Sequence, residues 1–132
     1  MRWWSAAINP SYNDAKWRSL SLPHDWSIES NFSSVFPATN QGGALPGGIG
    51  WYRKTFKANE SWKGKRVLLD FEGIMLNGEV WVNGKKIGGT DYGYLGFETD
   101  IAPVIKYDAD NVVAVRAATD GGVESDVLIW TP

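Results

Sequence analysis

The dipeptide Asn83-Gly84 interrupts an alternating run, Gly78 to Gly88, and fixes where the chain reverses. A two-residue hairpin loop follows the twist of its strands only when both loop residues take positive φ, which Asn followed by Gly adopts with little strain. The run Gly-Glu-Val-Trp-Val-Asn-Gly-Lys-Lys-Ile-Gly is therefore expected to form two directly paired antiparallel strands. Period two sets Val80 and Val82 on one face and Glu79, Trp81 and Asn83 on the other, as in a sheet with one face in a core.

Other segments repeat this short-strand pattern. Trp17 to Leu22, with Leu20 and Leu22 alternating against Ser19 and Ser21, reads as a first strand ended by Pro23, and Pro23-His24-Asp25-Trp26 as a sharp exit. Residues 31–50 carry prolines at 37 and 46 and five glycines after position 41, and read as a long loop. Strands are expected again at Trp51 to Phe56 and at Val67 to Phe71, where Val67, Leu69 and Phe71 make an inward row, with Trp62-Lys63-Gly64-Lys65 as the turn between them. Gly96 to Ile101 and Val112 to Ala117 complete the series, and Asp100 with Pro103 suggests one helical turn. No window supports a long amphipathic helix. The expected class is all-β, an antiparallel sandwich or jelly roll.

At 132 residues the chain fits one domain, large enough to bury roughly two thirds of its unfolded surface. Cysteine is absent, so neither disulfides nor thiolate metal sites can form. Thirteen basic against fifteen acidic residues give a formal charge of -2 with the signs interspersed, which offers no footprint for nucleic acid or an anionic membrane. No apolar run nears the roughly 20 residues of a membrane span, and Met1-Arg2-Trp3-Trp4-Ser5 lacks the hydrophobic region of a signal peptide. Location is left open between bacterial cytoplasm and a periplasmic or secreted route. Eight Trp, five Tyr and five Phe suit either β cores or sugar-stacking surfaces, and core is the expectation for most.

His24 is the only histidine, and its place after Pro23 suits a structural hydrogen bond better than a catalytic base. One His without Cys leaves a zinc site three ligands short of nitrogen or sulfur. Asp108-Ala109-Asp110 starts like a calcium loop, but Val113 and Thr119 stand where glycine and bidentate glutamate are required, so a polar turn is expected. Asp120, Glu124 and Asp126 could hold a hard cation or simply form a solvated acidic loop. Gly42 to Gly48 lacks the Gly-Lys-Ser/Thr ending of a phosphate loop and precedes a strand. Glycoside hydrolysis needs two carboxylates flanking the bond, about 5 Å apart for retention. Neither Glu72 with Glu79 nor Glu124 with Asp126 has a spacing that supplies such a pair. Asn31-Phe32-Ser33 and Asn59-Glu60-Ser61 match the glycosylation sequon.

Several segments then fall into one order: Leu22-Pro23-His24-Asp25-Trp26-Ser27-Ile28-Glu29, Leu45-Pro46-Gly47-Gly48-Ile49-Gly50-Trp51-Tyr52-Arg53-Lys54, Gly64-Lys65-Arg66-Val67 through Phe71-Glu72-Gly73, and Glu79-Val80-Trp81-Val82-Asn83-Gly84. Tyr92-Gly93-Tyr94, Phe97, Asp100-Ile101 and Asn111-Val112-Val113-Ala114-Val115-Arg116 follow. From about Asp14 to Asp126 the chain resembles the N-terminal sugar-binding domain of glycoside hydrolase family 2, most closely in its β-galactosidases. The resemblance implies a galactose-binding-like jelly roll over residues 1–132, as one piece of a larger multidomain glycosidase.

It further implies that an immunoglobulin-like domain and a (β/α)8 barrel follow, and that both catalytic glutamates belong to the barrel. This chain is then expected to be inactive alone, with no catalytic residue and no resident metal. The partner it implies is carbohydrate, a β-galactoside or related glycan. In some relatives an aspartate after an Asp-Gly pair and before a Trp lies beside the sugar and a monovalent cation. Asp120-Gly121, Asp126 and Trp130 match that order, making Asp126 and Asp120 the candidate substrate-binding residues, with a monovalent cation or calcium left open. The Asn-Ser-Arg-Trp-Tyr continuation of many relatives is missing. Trp81 could stack on a sugar or pack against protein, and packing is the expectation. The alternatives are a free-standing carbohydrate-binding module or lectin, and a structural sandwich mediating oligomer contacts. A severed domain is also expected to expose apolar surface and self-associate.

Overall fold

The computed structural model describes residues 3–25, 48–74, 77–91, 95–119 and 126–129. Within them two four-stranded sheets form a sandwich. One sheet has the spatial order β1 (His24–Asp25), β8 (Asp126–Ile129), β3 (Leu68–Ile74), β6 (Phe97–Asp100). The other has β2 (Gly48–Lys57), β7 (Asp110–Thr119), β4 (Asn77–Val82), β5 (Lys85–Thr90). All neighbouring strands are antiparallel, and together they make the expected all-β jelly roll.

The hairpin forms as its sequence dictates. Val82 pairs with Lys85, and Asn83 and Gly84 take φ of 52° and 82°. A bulge follows, since Val80 pairs with Gly88 but Trp81 with Lys86. Alternation holds in both sheets: Val80 and Val82 are fully buried, as is Phe71 in the Val67, Leu69, Phe71 row. Phe71 and Ile74 from one sheet meet Val80, Val82, Val113 and Val115 from the other in one core cluster. Each such side chain contributes about 1.5–3 kcal/mol by leaving water. Phe71 also stacks on Phe97, with centroids 4.8 Å apart.

Ile101 and Ile105 close one end of this core. The turn that places them is fixed by Asp100, whose Oδ1 accepts from the N–H of Ala102 at 3.0 Å. Asp108, with φ of 52°, makes the expected polar turn before β7.

The first strand differs from expectation. Trp17 to Leu22 joins no ladder, and pairing begins past Pro23, at His24 and Asp25. Pro23 offers no N–H to a ladder, and Leu20 is 40% exposed, so its alternation with serine matches no buried face. The turn read into His24-Asp25 is instead a two-residue strand against β8.

Residues 3–17 cover the outer face of the second sheet, beginning with a 3-10 helix, Trp3–Ile8. Arg53 on β2 anchors them. Its guanidinium donates to Asp14 Oδ2 at 2.9 Å, to the carbonyls of Asn9 and Tyr12 at 3.2 and 3.4 Å, and to that of Ala7.

Candidate functional site

Antiparallel pairing throughout gives the odd-numbered strands one direction and the even-numbered strands the other. Only residues 75 and 76 separate β3 from β4, so the two sheets share the same end. The last residues of β1, β3, β5 and β7 and the first residues of β2, β4, β6 and β8 therefore lie at one end of the sandwich. The second of the candidate residues, Asp120, belongs to the β7–β8 connection and lies outside the described residues, as do Glu124 and most of the long loop read at 31–50.

Asp126 is described: it opens β8, and its register partner is Asp25 on β1. The sequence reading missed Asp25, because a two-residue strand has no periodicity to reveal it. The Leu-Pro-His-Asp-Trp motif was the available signal.

His24, beside Asp25, makes the kind of hydrogen bond its place after Pro23 suggests. Arg18 approaches its Nε2 at 3.5 Å. Its Nδ1 shares a hydrogen bond with Tyr52 Oη at 2.9 Å. The contact ties β1 to β2 of the opposite sheet and steadies the strand that carries Asp25.

The carboxylate pair Glu72 and Glu79 does not form. Glu72 is exposed, while Glu79 binds Lys86 at 2.7 Å and Arg116 at 3.4 Å. The hydrogen bond from Lys86, foremost, and the charges of Lys86 and Arg116 hold the Glu79 carboxyl below its ordinary pKa, against a smaller opposing effect of burial. These groups border an open basin of about 630 Å³ that reaches Asn77, Thr90 and Asp91 at the same end as the start of β8. A larger and mostly apolar groove, about 700 Å³, is lined by residues of both sheets, among them Leu22, Tyr52, Leu69 and Val115. Among the described residues no group of three His, Asp or Glu side chains is placed to hold a metal ion.

Trp81 is spent on packing. It stacks on Trp51 of β2 with centroids 5.5 Å apart and 30° between the rings. The Trp51 Nε1 is buried without a hydrogen-bond partner.

Comparison with known proteins agrees with this architecture. Residues 2–130 match the family described as glycosyl hydrolases family 2, sugar binding domain. The chain is 48% identical over 110 residues to β-galactosidase BoGH2A of Bacteroides ovatus, covering 83% of this chain and 13% of that protein. It is 40% identical over 112 residues to a putative β-glucuronidase of Formosa agariphila, covering 85% of this chain and 10% of that protein. The crystal structure of a β-glycosidase from Bacteroides vulgatus superposes with a TM-score of 0.80 at 41% identity, over 92% of this chain and 16% of that one. The chain thus spans only about an eighth of the BoGH2A length. With its two-sheet fold and this match over nearly its whole length, the chain belongs to the sugar-binding N-terminal domains of glycosyl hydrolase family 2.

Proposed function

We propose that this domain serves a β-galactosidase-like hydrolase by shaping the entrance to an active site that lies on other domains, a barrel and an intervening immunoglobulin-like domain. It supplies acceptors for sugar hydroxyls and leaves bond cleavage to glutamates elsewhere. The observation that carries this reading is Asp126 at the head of β8, facing Asp25 at the end of the sandwich where β2, β4 and β6 also begin. A carboxylate there accepts two hydroxyl donors at once, which orients a sugar as well as holding it. The small share of BoGH2A that the chain covers supports placing the chemistry elsewhere.

The test is Asp126→Asn in the full-length parent. The expected result is a loss of about ten- to a hundredfold in kcat/KM for an aryl β-galactoside, with Tm nearly unchanged. A large fall in Tm with intact kinetics would make Asp126 structural and remove the reading's main support. Asp25→Asn is expected to act in the same sense.

A further inference from the structure

Two Asn-Gly pairs stand in this chain, Asn77-Gly78 opening β4 and Asn83-Gly84 just past its end. Such pairs are chemically labile, because a glycine without Cβ lets its backbone nitrogen approach the asparagine side chain. The sheet holds the first pair. Gly78 is buried and stands between Ala117 of β7 and Thr90 of β5, so its nitrogen belongs to a ladder. The second pair is the hairpin turn, where Gly84 is exposed, and protection there falls to the Asn83 side chain. Every polar atom of that side chain is engaged. Nδ2 donates to Val104 O at 2.8 Å and to Asn111 Oδ1 at 2.9 Å, while Oδ1 accepts from Val112 N at 3.1 Å. These bonds must break before Cγ can swing round to the Gly84 nitrogen.

We propose that Asn83 is a site of spontaneous deamidation that the folded hairpin keeps closed, and that the modified turn cannot close again. When the end of the hairpin opens, the Gly84 nitrogen loses its proton to solvent hydroxide and attacks Asn83 Cγ. The N–Cγ bond forms and the Cγ–Nδ2 bond breaks, with Nδ2 taking a proton from water and leaving as ammonia. Water then adds to either carbonyl of the resulting cyclic imide and opens it, giving aspartate or its β-linked isomer. The net change is an amide NH2 replaced by OH, with no oxidant or reductant.

Neither product fits the closed turn. An ionised aspartate only accepts hydrogen bonds, yet the place of Nδ2 faces two acceptors, Val104 O and Asn111 Oδ1. An oxygen there forfeits both bonds and meets like partial charges. Asn111 cannot turn its amide round to help. Its nitrogen already donates to the carbonyls of Lys106 and Ala109, and its oxygen accepts from Lys106 N, so a flip would unpair all three. The β-linked isomer adds a methylene to the backbone as well, which the two-residue turn has no room to absorb. Modification therefore accumulates only in molecules that have opened, and it holds them open.

The test incubates the 132-residue chain at mildly alkaline pH, folded and in guanidinium chloride, and follows conversion of Asn83 by peptide mass spectrometry. Asn77 in the denatured chain calibrates the rate of an unprotected Asn-Gly pair. Conversion of Asn83 is expected to be slower in the folded chain by about tenfold or more, because only the open fraction reacts. Asn83→Asp, made directly, is expected to melt several degrees below the parent, and failure of that variant to fold would be the same result in extreme form. Equal rates at Asn83 in the folded and denatured chains would overturn the proposed gate. An Asn83→Asp chain as stable as the parent would overturn the claim that the modified turn cannot close. Neither readout depends on sugar binding or turnover, so a failure here is distinct from failure of the Asp126 test.

Discussion

Asn83 and Asn111 clasp each other at the end of the sandwich opposite the facing aspartates, with Asn83 Nδ2 donating to Asn111 Oδ1 at 2.9 Å. Asn111 is fully buried and uses every hydrogen-bonding position it has. Its oxygen also accepts from Lys106 N at 2.7 Å, and its nitrogen donates to the carbonyls of Lys106 and Ala109. Asn83 in turn donates to Val104 O at 2.8 Å and accepts from Val112 N at 3.1 Å. The turn of the β4–β5 hairpin is thereby fastened to the start of β7.

Replacing Asn111 with Leu removes the partner of the Lys106 N–H, of two carbonyls and of one Asn83 hydrogen at a part-buried position. Each buried group left unpaired costs about 1–3 kcal/mol before relaxation. Asn111→Leu is expected to lose at least about 3 kcal/mol in urea unfolding, a large share of a typical margin of about 5–15 kcal/mol. An unchanged midpoint would show that water reaches these groups.

Arg53 makes a second prediction. Its side chain is 2% exposed, its ion pair with Asp14 is 2.9 Å long, and three carbonyls of the N-terminal segment share its hydrogens. Arg53→Met is expected to free residues 3–17 for proteolysis, with cleavage there faster by about tenfold. Arg53→Lys is expected to restore little, because an ammonium cannot span a carboxylate and three carbonyls. Asp14→Asn keeps the carbonyl contacts and is expected to have the smallest effect. Equal cleavage of all four proteins would show that the segment is held by other contacts.

Glu79 gives a pH dependence whose sign follows from its ion pairs. The Lys86 hydrogen bond first, then the charges of Lys86 and Arg116, lower its pKa in the folded protein. A depressed carboxyl stabilises the fold above the unfolded carboxylate range, about pH 4.3, and that contribution is lost as pH falls through the lower folded value. The cluster is partly wet, so the effect is small, below about 1 kcal/mol. Glu79→Gln is expected to be less stable than the parent near pH 7, with the difference closing below about pH 4. A difference that widened on acidification would contradict the ion-pair account.

The hairpin and the inward rows were legible because each is local. Asn83-Gly84 states its own backbone angles, and Val67, Leu69 and Phe71 display their period directly. Misreadings fell where distant chain decides. His24 and Asp25 form a strand only because Val127 and Asp126 lie beside them, and nothing within two residues signals a partner a hundred positions away. Period two also set Asn83 outward with Trp81, yet the positive φ of the turn carries its amide inward to Asn111. Arg53, between Tyr52 and Lys54, looks like any surface cation until residues 3–17 are laid over it. At the candidate site, motif order drew attention to Asp126, and only the register added Asp25.

The most direct measurement is turnover of chromogenic β-galactoside and β-glucuronide by the purified 132-residue chain beside the full-length parent. A domain that positions sugar for glutamates on other domains gives no hydrolysis alone at any concentration, while the parent turns over one of the two substrates. Saturable hydrolysis by the chain, abolished by replacing Asp25 or Asp126, would contradict that division of labour.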